Sequence, residues 1–131
     1  MSPAVRLLGL DFADLDAAGA AALLAARPAE APFSYVVTPN ADHLVRLSRD
    51  PALRPIYQHA ELRLLDSRVV AGAARALRLP APRVAPGSDL TALLLTRYLR
   101  PQEPVTVIGL RDRWLPALVA RCELARPAHY D

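Results

Sequence analysis

Short apolar runs alternate along the chain with longer segments whose hydrophobic residues recur at helical spacing. The runs predict four strands, over residues 5–10, 33–37, 62–65 and 105–110. The segments between them predict helices over about 16–27, after Asn40, from Pro51, over 69–79, over 90–99 and over 112–122. Because strands that alternate with helices favour a mainly parallel sheet with right-handed crossovers, the pattern predicts an α/β, Rossmann-like layered fold. Length favours a single α/β domain over residues 1–131.

The composition excludes several functional classes. All 16 basic residues are Arg, 13 residues are acidic, and the net charge of +3 is too small and dispersed to predict nucleic-acid binding. The one cysteine, Cys122, excludes an internal disulfide framework, indicates a reducing compartment and is expected to be a buried, inert thiol. The longest small apolar run, 17–26, is about half of the ~20 residues that span a bilayer, so the chain is expected to be cytoplasmic. Because the three histidines lack ligand spacing, we expect no metal and no cofactor.

Polar residues follow two of the predicted strands where each strand ends. Thr38-Pro39-Asn40 follows the strand over 33–37, and Asp66 follows the strand over 62–65. The carboxyl ends of parallel strands face the ligand crevice of an α/β fold. We therefore expect a hydroxyl, a carboxamide and a carboxylate to converge on one small polar molecule at this edge.

Each of these residues also has a purely structural interpretation. Asp66 could cap the helix that begins near Ser67, and Asn40 could cap the helix that follows it. Thr38-Pro39 is a common turn sequence, and Gly87-Ser88 could belong to an ordinary turn and helix start. A structural role and a binding role can coexist at Thr38 and Asn40.

Between Tyr35 and Leu95 the chain resembles the WecG/TagA/CpsF glycosyltransferases. The matching residues are Thr38-Pro39-Asn40-Ala41-Asp42, Arg49-Asp50-Pro51, Leu64-Leu65-Asp66, and Arg83-Val84 ahead of Gly87-Ser88-Asp89-Leu90. The family usually has Gly after the Asp, where Ser67 stands here. The resemblance implies the amino-terminal part of a longer family domain, with His129-Tyr130-Asp131 leading into a further segment.

The resemblance also implies a reaction and a set of roles. Family members move an N-acetylmannosamine-type sugar from a UDP-sugar donor to a lipid-diphosphate-linked acceptor in bacterial cell-surface polysaccharide synthesis. By resemblance, Asp66 is the general base of an inverting transfer, and Thr38 and Asn40 bind the sugar. The residues expected at the diphosphate are Arg83 through its guanidinium and Gly87 and Ser88 through their backbone N–H groups.

Two other functional classes remain open at this point. The chain could be a non-catalytic α/β module that binds a sugar or nucleotide, or an inactive truncated fragment that packs against a partner. For the enzyme, the expected partners are the UDP-sugar and the lipid-linked acceptor. We expect no nucleic-acid partner. We do expect peripheral contact with the inner face of the cytoplasmic membrane, through parts outside this chain. Formation of a homo-oligomer is left open.

Overall fold

The computed structural model of the chain describes residues 3–131 and divides into two compact units, residues 1–90 and 91–131. The first unit contains β1 (Ala4–Leu7), β2 (Leu10–Ala13), α1 (Ala17–Ala25), β3 (Val36–Val37), α2 (Ala41–Arg49), α3 (Arg54–Gln58), β4 (Leu62–Arg63) and α4 (Arg68–Ala76). Helix α5 (Gly87–Leu93) begins near the end of the first unit, and a π-helical stretch, Leu94–Tyr98, follows it. The second unit contains β5 (Thr106–Ile108), α6 (Leu115–Cys122) and β6 (Ala128–Tyr130).

A β-hairpin occupies the region where we predicted one strand over residues 5–10. Strands β1 and β2 pair antiparallel, and Leu7 pairs with Leu10 across a two-residue loop. The loop residues Leu8 and Gly9 both have positive φ, 52° and 79°, as the tightest hairpin loops require. The single-strand prediction was wrong because Leu is not one of the residues that usually mark the first position of such a loop.

Gly9→Ala is expected to destabilise the protein by about 1–2 kcal/mol, because a side chain is strained at this φ. The added Cβ would also lie 2.7 Å from Arg54 Nη1, which donates to Gly9 O. Gly72→Ala in α4 is the matched control, since no described atom lies within 4 Å of its new Cβ. The control should gain about 0.5–1 kcal/mol. Urea unfolding measures both changes, and similar values would contradict the expectation.

Three segments of the first unit run parallel to one another. Val36 and Val37 of β3 pair with Leu62 and Arg63 of β4, and Leu65 forms a parallel bridge with Val84. The predicted mixture of helices and strands is therefore confirmed. Within residues 3–131, however, each sheet has only two strands, so the structure does not confirm a Rossmann-like layered arrangement. The strand predicted over 33–37 is shortened to its last two residues.

Helix α4 ends three residues earlier than the predicted helix over 69–79. Arg78 adopts a positive φ of 58°, and its N–H donates to Arg75 O. The N–H of Leu79 reaches back to Ala74 O at 2.8 Å, which completes a Schellman-type helix end. The backbone of Arg78 therefore ends the helix before Pro80 and Pro82, which follow the predicted helix in the sequence.

The core of the first unit lies between the hairpin, the parallel segments and two helices. Its buried members include Phe12 of β2, Leu65 after β4, and Leu44 and Leu47 of α2. Ile56 of α3 is 54% exposed. The 3-10 turn over Pro51–Leu53 precedes α3 and rotates its residues relative to one continuous α-helix.

The second unit is a parallel strand pair joined through α6. Strand β5 pairs with β6, and Ile108 lies opposite Tyr130. Strand β6 was not predicted, because Ala-His-Tyr is too short to show the alternation of a strand. The helix predicted over 112–122 is present, but its first turn, Asp112–Trp114, is a 3-10 helix. None of the helices in the described part of the chain is long and apolar enough to cross a membrane.

Candidate functional site

The ends of the three parallel segments bring Thr38, Asp66 and Gly87 together at one edge. The N–H of Asp66 donates to Pro39 O at 3.0 Å, which aligns the ends of the first two segments. The N–H of Ala85 donates to Leu65 O at 2.8 Å, which aligns the third. The expected meeting of the two polar strand ends is therefore present in the structure, with Gly87 as a third member.

The carboxylate of Asp66 is held at one oxygen. Its Oδ2 accepts a hydrogen bond from Gly87 N at 3.0 Å. No residue within 3–131 donates a hydrogen bond to the other oxygen, Oδ1. Because every fully buried side-chain oxygen or nitrogen of the described residues has a partner, Oδ1 is reachable from solvent. One oxygen is thus anchored while the other can accept a proton or a hydrogen bond.

Asp66 does not cap the helix that follows it. Ser67 does so instead, because its Oγ accepts a hydrogen bond from Val70 N at 3.1 Å. The alternative in which Asp66 caps α4 is therefore wrong. The carboxylate instead contacts the first residue of α5, which lies 21 positions further along the chain.

Thr38 packs directly against the backbone of Gly87. A Cβ atom placed on Gly87 would lie 2.6 Å from Thr38 Oγ1 and 3.2 Å from Thr38 Cβ. Contacts this short force one of the two residues to shift, so the spacing between Thr38 and the start of α5 requires a glycine. Gly87 is needed here for space and not for a positive φ.

Asn40 has the local structural role that the sequence allowed. Its side-chain Oδ1 accepts from His43 N, and its backbone N–H donates to His43 Nδ1, both at 3.1 Å. This reciprocal capping box fixes the start of α2. Since His43 Nδ1 accepts a hydrogen bond, a neutral His43 ring carries its proton on Nε2.

An open pocket of about 310 Å³ lies beside Thr38. It is lined by Val37, Thr38, Pro39, His43, Leu53, Ile56 and Tyr57. Thr38, His43 and Tyr57 carry polar groups, and the other lining residues are apolar. The volume lies at the lower end of the range for small-molecule pockets. His43 and Tyr57 could not be predicted as pocket residues, because they come from two helices whose approach depends on the fold.

Arg83 does not join the group formed by Thr38, Asp66 and Gly87. Its backbone N–H donates to Asp14 Oδ1 at 2.9 Å, and its Nε lies 4.0 Å from the same oxygen. The Arg83 side chain is 65% exposed. Asp16 caps α1, whereas Asp14 anchors the start of the third parallel segment.

The remaining predicted donors lie at the start of α5. Ser88 is exposed in the first turn of the helix. The N–H of Gly87, expected to face a diphosphate, is donated to Asp66 in this structure. The backbone N–H of Gly87 therefore binds Asp66, whereas Ser88 is exposed to solvent beside it.

A family comparison covers almost the whole chain. The model of the glycosyl transferase WecG/TagA/CpsF family matches residues 5–129 of the 131 residues. The match includes both units and every residue of the candidate site. No curated protein is a match for the chain.

Proposed function

The chain belongs to the WecG/TagA/CpsF family of glycosyltransferases, and from this premise we propose that it moves an N-acetylmannosamine-type sugar from a UDP-sugar to a lipid-linked acceptor. The observation that carries this proposal is the half-anchored carboxylate of Asp66 beside Thr38. The biological setting that we propose is bacterial cell-surface polysaccharide synthesis.

Asp66 acts as the general base of an inverting transfer. The acceptor hydroxyl oxygen attacks the anomeric carbon, and Asp66 Oδ1 takes the hydroxyl proton as the new C–O bond forms. The bond between the anomeric carbon and the diphosphate oxygen breaks on the opposite face, and UDP leaves with the bonding electrons. A carboxylate that is hydrogen-bonded at one oxygen suits this step, because the lone pairs of its other oxygen then keep a constant direction toward the acceptor hydroxyl.

The sugar lies in the pocket beside Thr38 in this proposal. The Thr38 hydroxyl and the Asn40 carboxamide bind the hydroxyl and N-acetyl groups of the sugar. The apolar wall suits the acetyl methyl group and the less polar face of the ring. Asn40 keeps its helix-capping role at the same time, since capping occupies its Oδ1 and leaves its amide N–H groups to donate.

The diphosphate lies near Arg83 and the start of α5. The exposed Arg83 guanidinium is the charged group that binds it. The backbone N–H of Ser88 is the proposed second contributor, because the N–H of Gly87 is donated to Asp66. The proposal extends to a Rossmann-like layered arrangement for the domain. It also places the protein in the cytoplasm, at the inner face of the membrane that holds the acceptor.

Arg83→Ala is expected to weaken UDP binding about tenfold and to leave binding of the free sugar nearly unchanged. The reason is that a bidentate guanidinium recognises the diphosphate, and the free sugar has none. The anchoring hydrogen bond to Asp14 comes from the backbone N–H of residue 83 and survives the substitution. Isothermal titration calorimetry with UDP and with N-acetylmannosamine measures both effects.

Two further variants complete the Arg83 experiment. Arg83→Lys should recover only part of the UDP affinity, because an ammonium group cannot form the bidentate fork. Arg75→Ala removes an exposed arginine of α4 and should change neither ligand. Equal losses for UDP and free sugar would assign Arg83 to folding instead of to the diphosphate.

The proposed function is tested by direct transfer assays. The protein is incubated with UDP-N-acetylmannosamine, its uronate or UDP-N-acetylglucosamine, together with a lipid-diphosphate acceptor. We expect release of UDP and a lipid product that is heavier by one sugar residue, measured by mass spectrometry. Inversion is read from the anomeric configuration of the product by NMR.

The same assays separate the alternatives. Binding of the UDP-sugar without transfer would indicate a non-catalytic binding module. The absence of both binding and transfer would overturn the proposal.

A further inference from the structure

We propose that Gly87 is a positioning residue for the reaction, whose backbone N–H orients the Asp66 carboxylate. This inference rests on the proposed function. It assigns to Gly87 a role different from the diphosphate contact that the sequence indicated. The observation behind it is the 3.0 Å hydrogen bond from Gly87 N to Asp66 Oδ2.

A carboxylate without such a partner can rotate about its Cβ–Cγ bond, and this torsion has a broad minimum. A hydrogen bond at Oδ2 restricts the rotation and so fixes the direction of the Oδ1 lone pairs. A backbone donor suits this role better than a side chain, because it has no rotamers of its own. A charge-assisted bond from a backbone N–H to a carboxylate is also among the stronger hydrogen bonds in proteins.

Both partners of this hydrogen bond are held by the same parallel ladder. Asp66 is fixed through its own N–H on Pro39 O, at 3.0 Å. Two residues before Gly87, the N–H of Ala85 is fixed on Leu65 O at 2.8 Å. The distance between donor and acceptor therefore depends on sheet pairing and not on a flexible loop.

The contact with Thr38 explains why a glycine occupies this position. Any residue with a Cβ would meet Thr38 Oγ1 at 2.6 Å, so either Thr38 or the start of α5 would move. A shift of α5 would carry the N–H away from Asp66, and a shift of Thr38 would change the sugar pocket. Because Gly87 has no side chain, the Thr38 hydroxyl and the Asp66 carboxylate can both lie beside its backbone.

Two substitutions at one position separate the N–H from the missing Cβ. Gly87→Ala adds a Cβ and keeps the N–H, whereas Gly87→Pro adds a Cβ and removes the N–H. Proline is tolerated here because Gly87 is the first residue of α5, where a helix accepts proline. Pro86, whose carbonyl accepts from Leu90 N, lies just outside the helix, where an extended backbone before proline is allowed.

We expect kcat of Gly87→Pro to be roughly ten- to a hundredfold below that of Gly87→Ala, the scale of a catalytic group displaced by about 1 Å. KM for the UDP-sugar should differ less than about threefold between the two variants, since donor binding does not use this N–H. The control is Gly72→Ala, which should keep the wild-type kcat. Thermal unfolding of each variant checks that it is folded.

A second measurement is independent of activity and of the proline variant. In a ¹⁵N-labelled wild-type protein, the Gly87 amide proton resonance should shift as pH is lowered through the protonation of Asp66. In Asp66→Asn that pH dependence should disappear. This arm tests the hydrogen bond itself, even if Gly87→Pro does not fold.

The outcomes decide between the possibilities. Equal kcat values for Gly87→Ala and Gly87→Pro, both close to the wild-type value, would overturn the positioning role while leaving the transferase function intact. If both values are equally low, the added Cβ has displaced α5 in both variants, and the amide measurement on the wild-type protein decides. A Gly87 amide that ignores the protonation of Asp66 would overturn the hydrogen bond. Absence of transfer by the wild-type protein would overturn the proposed function and the positioning role with it, whereas the amide shift would still report on the contact.

Discussion

Asp66→Asn is expected to reduce turnover by roughly 10²- to 10⁴-fold, the usual contribution of a general base. The amide has nearly the shape of the carboxylate, and its oxygen can still accept the hydrogen bond from Gly87 N. The fold and the affinity for the UDP-sugar should therefore survive. What is lost is the ability to take the proton of the acceptor hydroxyl, so the effect should appear in kcat.

Asp11→Asn is the matched control for this prediction. Asp11 is an exposed carboxylate of the hairpin that pairs with Arg6 at 3.0 Å, and surface ion pairs of this kind contribute little. Its substitution should leave both kcat and KM unchanged. Steady-state kinetics and donor titration of both variants check the prediction. An Asp66→Asn enzyme that keeps turnover within a few-fold of wild type would remove Asp66 as the base.

The convergence of Thr38 and Asp66 could be predicted because parallel strands bring their carboxyl ends to one edge. That argument needs only the order of the elements and the position of polar residues after apolar runs. The N-cap role of Asn40 was also predictable, since it depends on residues three positions apart. A helix cap can be predicted because all the residues that form it lie within one short stretch of sequence.

The contact between Gly87 and Asp66 could not be predicted in the same way. It depends on a third parallel segment that is held by one bridge, between Leu65 and Val84, and that segment has no strand-like pattern of its own. Pro82 and Pro86 flank it and favour the interpretation as a loop. Tertiary pairing and not local propensity therefore brings Gly87 to the site.

The hairpin loop and the contact between Arg83 and Asp14 could not be predicted from local sequence either. The positive φ of Leu8 results from the pairing of β1 with β2, although leucine has no intrinsic preference for it. Arg83 was assigned from its charge, its position before Gly87-Ser88 and the family resemblance, and the sequence could not show that Asp14 lies within reach. Both features depend on partners that are distant in the chain or selected by the turn geometry.

Arg63 is a further residue whose role only the fold reveals. It belongs to β4, yet its guanidinium ties that strand to two other elements. Its Nε donates to Asp11 O of β2 at 2.6 Å. Its Nη1 lies within hydrogen-bond distance of three carbonyls at and beyond the end of α3, at 3.2, 2.9 and 2.7 Å from Tyr57, Gln58 and Ala60. In this way one side chain donates to carbonyls at and beyond the end of α3, where few intrahelical donors remain.

Arg63→Ala is expected to destabilise the protein by about 2–3 kcal/mol, because partly buried carbonyls lose a charged donor. This corresponds to a lower unfolding midpoint by about 10 °C, measured by thermal unfolding. Arg63→Lys should recover part of the loss, since an ammonium cannot reach Asp11 O and the α3 carbonyls from one stem. Arg75→Ala, at an exposed arginine of α4, should stay within about 0.5 kcal/mol of wild type. Similar midpoints for the Arg63 and Arg75 alanine variants would show that the guanidinium contacts are replaced by water at no net cost.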